Sequence, residues 1–122
     1  MPIRPENKEE VYNKYKGHCA YCGKIIDYRS MQIDHIKPQA FGGLDNIENL
    51  NPSCRQCNHY KRGMPLEDFR NIWLGKLHER LLKQYTIKVA ISYGIVKIKP
   101  FNLKFYFEKR IKETLNAIKD KN

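Results

Sequence analysis

No apolar run in the 122 residues is long enough to cross a bilayer, so no transmembrane helix and no membrane partner are expected. The opening stretch, MPIRPENKEEVYNKYKGHC, lacks the apolar centre of a secretion signal. These two absences point to a cytoplasmic protein. Internal repeats and low-complexity tracts are missing too, which argues against a repeat array. Acidic residues are few, 13 against 23 Lys and Arg, giving a net charge of +10. A chain this short fits a single domain over 1–122 with a modest core, which a bound metal would help to hold.

The acid deficit is local. Residues 1–60 carry 8 Lys/Arg against 7 Asp/Glu, whereas residues 61–122 carry 15 against 6. A basic surface of this kind draws in phosphate backbones. Plain solvation is the bland alternative, and an acidic protein or anionic lipid would suit the same surface.

No cysteine is left over. Cys19 and Cys22 form one CxxC, Cys54 and Cys57 another, with 31 residues between the pairs. Two disulfides would suit an oxidising compartment rather than the cytosol. A redox CxxC would not need a second copy. Four thiolates presented by two tight knuckles match a structural zinc, with a sizeable insertion between the knuckles.

Residues 5–17 read as a helix, with Pro5 at its start, Val11, Tyr12 and Tyr15 as its apolar stripe, and Gly17 at its end. Residues 18–24 form the first knuckle. Met31 to Ile36 reads as a strand closed by Pro38. A loop over 37–47 follows, then a short strand near 48–50 and a helix from about Arg55 to Gly63. Leu66, Phe69, Trp73, Leu77 and Leu81 predict a helix over 65–83. Residues 84–99 fit strand and helix alike. LKFYFE, 103–108, has strand chemistry and runs into a helix carrying Phe107, Ile111, Leu115 and Ile118 on one face. Core packing explains these aromatics better than base stacking. His18 and His78 read as ordinary surface residues.

Between the knuckles lies IDHIKPQAFGG, in which Asp34 and His35 are adjacent. Neighbours on a strand point to opposite faces. Such divergence suits an in-line displacement, in which water enters on one side of phosphorus and the leaving group departs on the other. Pro38 and the glycines would end the strand and let His35 turn into a cleft.

The set CAYC, IDHIKP, GG, NIENL and CRQCNHYKRG resembles the HNH endonucleases over about residues 12–63. The tail, with SYGIVKIKP and FYFEK, resembles small bacterial members less specifically, which favours a bacterial or phage-encoded protein. The resemblance implies an α+β fold: a ββα-metal core with a four-cysteine zinc site, an N-terminal helix, and a basic, mostly helical extension over 64–122 with a short strand. It implies that Asp34 and Asn58 hold a catalytic divalent ion, Mg²⁺ or Mn²⁺, that His35 is the general base, and that Asn49 braces the loop holding His35. Asn58 stands where a strict motif has its last histidine. His59 is a rival ligand, set about 100° away on the helix. Lys61 and Arg62 are candidate phosphate contacts, with a solvated helix end as the alternative. The activity implied is hydrolysis of double-stranded DNA, by nicking, to give 5′-phosphate and 3′-hydroxyl ends. The other reading is a zinc-ribbon module that binds nucleic acid without cutting it. That reading leaves Asp34, His35 and Asn58 unexplained together.

Overall fold

A computed structural model describes residues 5–120. The chain divides into two compact units, one comprising residues up to Pro65 together with Lys104 onward, the other Leu66–Leu103. The basic extension beginning at residue 64 is thus two pieces, and its last helix belongs with the N-terminal half.

In the first unit, helix α1 spans Pro5–Asn13, strand β1 Gln32–His35, strand β2 Leu50–Ser53 and helix α2 Arg55–Lys61. Helix α6, Tyr106–Asp120, completes it. The strands pair antiparallel, with Asp34 opposite Asn51 and His35 opposite Leu50. Helix α2 begins one residue after β2 and packs on β1. The order β1–β2–α2 is the ββα core expected from the sequence, in an α+β fold.

Boundaries shift from expectation at α1 and β2. Helix α1 stops at Asn13, and residues 14–17 form tight turns in which Lys16 and Gly17 take φ of 53° and 81°. The strand expected at 48–50 begins only at Leu50, because the Asn46 side chain accepts from the Asn49 N–H at 3.1 Å and winds Ile47–Asn49 into a 3-10 turn. All four residues of β2 are buried, and the Pro52 carbonyl accepts from Ala20 N–H at 2.8 Å.

The strand expected over 103–108 does not form. Phe105 and Phe107 are buried around Tyr21, with ring centroids 5.4 and 5.9 Å from it. Their backbone bonds to the knuckle instead, Phe107 N–H to the Ala20 carbonyl at 2.8 Å. Glu108 accepts from Phe105 N–H at 2.8 Å and so caps α6. The aromatic spacing reported burial, and the carboxylate three residues on decided for helix. Beyond Phe107 the expected apolar face is open: Ile111, Leu115 and Ile118 are exposed.

The second unit is helical. Leu66–Asp68 (α3), Phe69–Leu74 in the wider π form, and Gly75–Lys83 (α4) make one continuous run. Arg70 is buried there, gripped by both carboxylate oxygens of Glu67 at 3.0–3.1 Å and donating to the Leu103 carbonyl at 2.9 Å. Gln84, with ψ of 127°, breaks the run, and Tyr85–Ser92 (α5) is a helix. This settles the first half of the ambiguous stretch 84–99 as helix. His78 is half-buried rather than a free surface residue, with Nε2 at 2.7 Å from the Lys99 carbonyl.

Candidate active site

The four cysteines converge. Their sulfurs all lie within 4.8 Å of one another, and Cys22 and Cys54 Sγ are 3.9 Å apart. Four thiolates about 2.3 Å from one ion would stand roughly 3.8 Å apart, so the cluster fits a tetrahedral metal. Backbone N–H groups support the sulfurs: Cys54 donates to Cys19 Sγ at 3.4 Å and Cys57 to Cys54 Sγ at 3.3 Å. A hydrogen bond from Cys57 brings the Cys19 thiol down to about 4, and the same bond pushes Cys57 up.

Strand alternation sends Asp34 inward and His35 outward. Asp34 is buried, and both of its contacts fall on Oδ2: the Tyr21 hydroxyl donates to it, and Lys61 Nζ lies 3.0 Å away. Burial raises the Asp34 pKa, with the Tyr21 hydroxyl and the Lys61 charge opposing. Burial also pushes Tyr21 well up, reinforced by the Asp34 charge. Tyr21 therefore stays a neutral donor. Among the described residues nothing bonds to Asp34 Oδ1, which leaves that oxygen for a cation.

Lys61 departs from its expected place. It has no exposed surface, so it is neither a solvated helix end nor a phosphate contact. Its ammonium bridges Asp34 Oδ2 and the His35 carbonyl, both at 3.0 Å. Arg62 is exposed just past the helix, with φ of 55°. Asn58 lies one turn before Lys61, and residues three apart share a helix face. Lys61 thus turns the Asn58 face of α2 toward β1. The Asn58 carboxamide is half-exposed and makes no hydrogen bond among the described residues. A carboxylate oxygen and an amide oxygen form a hard donor set suited to Mg²⁺ or Mn²⁺. His59, the rival ligand, is exposed on the next residue round.

The His35 ring is half-buried, and its Nε2 meets Asp45 Oδ1 at 2.5 Å. Gln39 Nε2 donates to the same oxygen at 2.9 Å. The His35 hydrogen bond holds the Asp45 carboxyl below its usual range. The loop after Pro38 therefore returns to His35 rather than merely ending the strand. Asn49 ties that loop: its Oδ1 accepts from Lys37 N–H at 2.8 Å, and its Nδ2 donates to the carbonyls of Lys37 and Leu44 at 3.0 and 2.9 Å. Gly43 is required by closeness, since a Cβ there would lie 1.7 Å from the Lys37 carbonyl oxygen. Gly42, at φ 90°, makes the turn that delivers it.

Lys14, Tyr21, Asp45 and the burial of Lys61 were not foreseen from sequence. Lys14 Nζ donates to the Ile47 and Leu50 carbonyls at 2.8 Å each, pinning the segment that carries Asn49. Burial lowers its pKa. Tyr21 had a signal, because a residue inside a CxxC is held rigidly by the cluster. His18, expected at the surface, is half-buried and stacks on Tyr106 at 5.3 Å. It belongs to a groove of about 440 Å³ between the turns that follow α1 and helix α6, which contains none of the motif residues. The motif residues instead lie on β1, β2, the loop between them and α2.

Residues 19–74 match the family model described as HNH endonuclease. A CRISPR-associated endonuclease Cas9 from Actinomyces naeslundii is 46% identical over 48 residues, 38% of this chain and 4% of that protein. A CRISPR-associated endonuclease Cas9 from Corynebacterium diphtheriae is 44% identical over 48 residues, with the same coverage. The crystal structure of the Type II-C Cas9 enzyme from Actinomyces naeslundii superposes with a TM-score of 0.49 and 32% identity, covering 53% of this chain and 7% of that one. The chain thus spans a small fraction of the length of the proteins it matches. No helix among the described residues is long and apolar enough to cross a membrane.

Proposed function

We propose, from the match of residues 19–74 to the family model described as HNH endonuclease, that this protein is a metal-dependent endonuclease that hydrolyses DNA phosphodiester bonds by nicking. The products are a 5′-phosphate and a 3′-hydroxyl. The observation carrying this reading is the Lys61 bridge, which fastens α2 to β1 through Asp34 and the His35 carbonyl. It draws the helix that carries Asn58 onto the strand that carries Asp34 and His35.

Asp34 Oδ1 and the Asn58 amide oxygen would hold the divalent ion, and the four cysteines a zinc ion. When bound, the divalent ion neutralises charge on the phosphate and on the departing oxygen. His35 takes the proton from the attacking water. With Asp45 accepting from Nε2–H, the neutral ring has Nδ1 as its basic nitrogen. Asn49 keeps the His35 loop in place through its three backbone bonds. Arg62 remains a candidate phosphate contact.

The test is supercoiled plasmid incubated with Mg²⁺ or Mn²⁺, with and without chelator, beside His35→Ala. Nicking that needs the ion and disappears in His35→Ala is the expected result. Retained DNA binding with no cleavage under any divalent ion overturns the proposal and favours a non-cutting zinc-ribbon module.

A further inference from the structure

The second unit carries an excess of positive charge. It holds seven Lys/Arg, Arg70 through Lys99, against three acids, Glu67, Asp68 and Glu79. Glu67 is consumed by the buried Arg70. From Arg80 to Leu103 there is no carboxylate at all. On α4 the cations fall into register: Lys76, Arg80 and Lys83 recur at four and three, so they share one face. Their Cα atoms climb the axis by about 6 Å and then about 4.5 Å. With Trp73 one turn earlier and Glu79 at the edge, they line a groove of about 250 Å³. All three cations are exposed, and the indole is half-exposed.

An exposed cationic face is often only solvated, and the single Glu79 carboxylate detracts from this one. Two features go beyond solvation. The cations are stacked on one helix face around a groove with an aromatic wall, and the chain that follows adds Lys88, Lys97 and Lys99 without one acid. We propose that this face of α4 binds the phosphate backbone of a nucleic acid, with Lys76, Arg80 and Lys83 on successive phosphates and Trp73 against a sugar or base. The choice of nucleic acid among polyanions rests on the nuclease reading above. The three cations lie outside the matched segment 19–74.

The test uses the full chain bearing His35→Ala, so that nothing is cut, with and without Lys76→Gln, Arg80→Gln and Lys83→Gln together. Binding to a labelled duplex of about 20 base pairs, and to one of its strands, is followed by anisotropy as salt is raised. Each lost phosphate contact should lower the log–log salt slope by about 0.9 on duplex or 0.7 on single strand. The triple variant should therefore lose about 2 to 3 from the slope and at least tenfold in affinity on one substrate. Its zinc content and melting curve should be unchanged. Lys76→Arg with Lys83→Arg should bind as the parent does. Unchanged slope and affinity on both substrates overturn the proposal. So does loss of binding to phosphatidylserine vesicles with nucleic-acid binding intact, which would assign the stripe to a lipid surface. The nuclease reading is judged separately on plasmid with the unsubstituted chain. Stripe-dependent binding without cleavage removes that reading alone, and cleavage with stripe-independent binding removes this one alone.

Discussion

Lys61 and Lys83 are each the last residue of a helix, α2 and α4, yet Lys61 has no exposed surface and Lys83 is exposed. Dipole arguments treat them alike, since a cation favours either helix end. Their partners separate them. Lys61 neutralises a buried carboxylate and satisfies a strand-end carbonyl, so it holds the candidate site together. Lys83 shares a groove with two other exposed cations, so its charge is available to something outside the chain. The charge that ends α2 is structural, and the charge that ends α4 is displayed.

The largest effect should come from removing what starts α2. Cys54 is its N-cap, with the sulfur accepting from Cys57 N–H, and it also completes the metal cluster. Structural zinc supplies about 10–16 kcal/mol of apparent binding free energy in zinc-finger peptides. That matches or exceeds the whole stability of a typical domain, about 5–15 kcal/mol. Cys54→Ser should therefore lose one equivalent of zinc and the cooperative melting of the first unit. A variant that keeps its zinc and its melting temperature would show that the cluster is not what organises α2.

The second effect tests the two lysines directly. Lys61→Met strands the buried Asp34 charge and should cost about 3–5 kcal/mol in urea unfolding. Lys83→Met should fall within about 0.5 kcal/mol of the parent, as exposed substitutions do. Equal costs would erase the contrast between the units.

This contrast marks what was legible in the sequence. The cysteine spacing announced the metal cluster, a local signal, and the family resemblance carried by the Asp-His pair, Asn49 and Asn58 implied the ββα core. The partners of those residues were not legible. Lys61 looked like any lysine at a helix end, and only the tertiary placement of α2 on β1 aims it at Asp34. Tyr21 and Asp45 reach their partners across 13 and 10 residues, a separation that no periodicity encodes. The segment 103–108 misled because aromatic alternation reports burial, whereas Glu108 settled the conformation.

A third, smaller effect concerns the loop between the two strands. Gly43→Ala would set a methyl 1.7 Å from the Lys37 carbonyl oxygen, so backbone must move. Overpacking of this kind costs about 1–3 kcal/mol. Because the displaced carbonyl is one that Asn49 binds, nicking should fall more steeply than stability. Full activity in a stably folded Gly43→Ala would mean that the brace is dispensable.

The smallest effect on stability belongs to Asp45→Asn, because Asp45 is exposed and its bond to His35 lies at the surface. Hydrogen bonding from His35 depresses the Asp45 pKa on folding. A depressed carboxyl contributes stability that is present above its unfolded pKa and is lost as pH falls through the folded value. Parent and Asp45→Asn should therefore differ slightly in melting temperature at neutral pH and converge in acid, below the ordinary carboxylate range. Cleavage should respond more than folding does. Asn keeps a hydrogen-bond acceptor but loses the charge that holds the ring, so kcat should fall about tenfold with KM little changed. A variant with unaltered kcat would make Asp45 a loop contact only, and His35 would then owe its position to β1 and the Lys61 bridge alone.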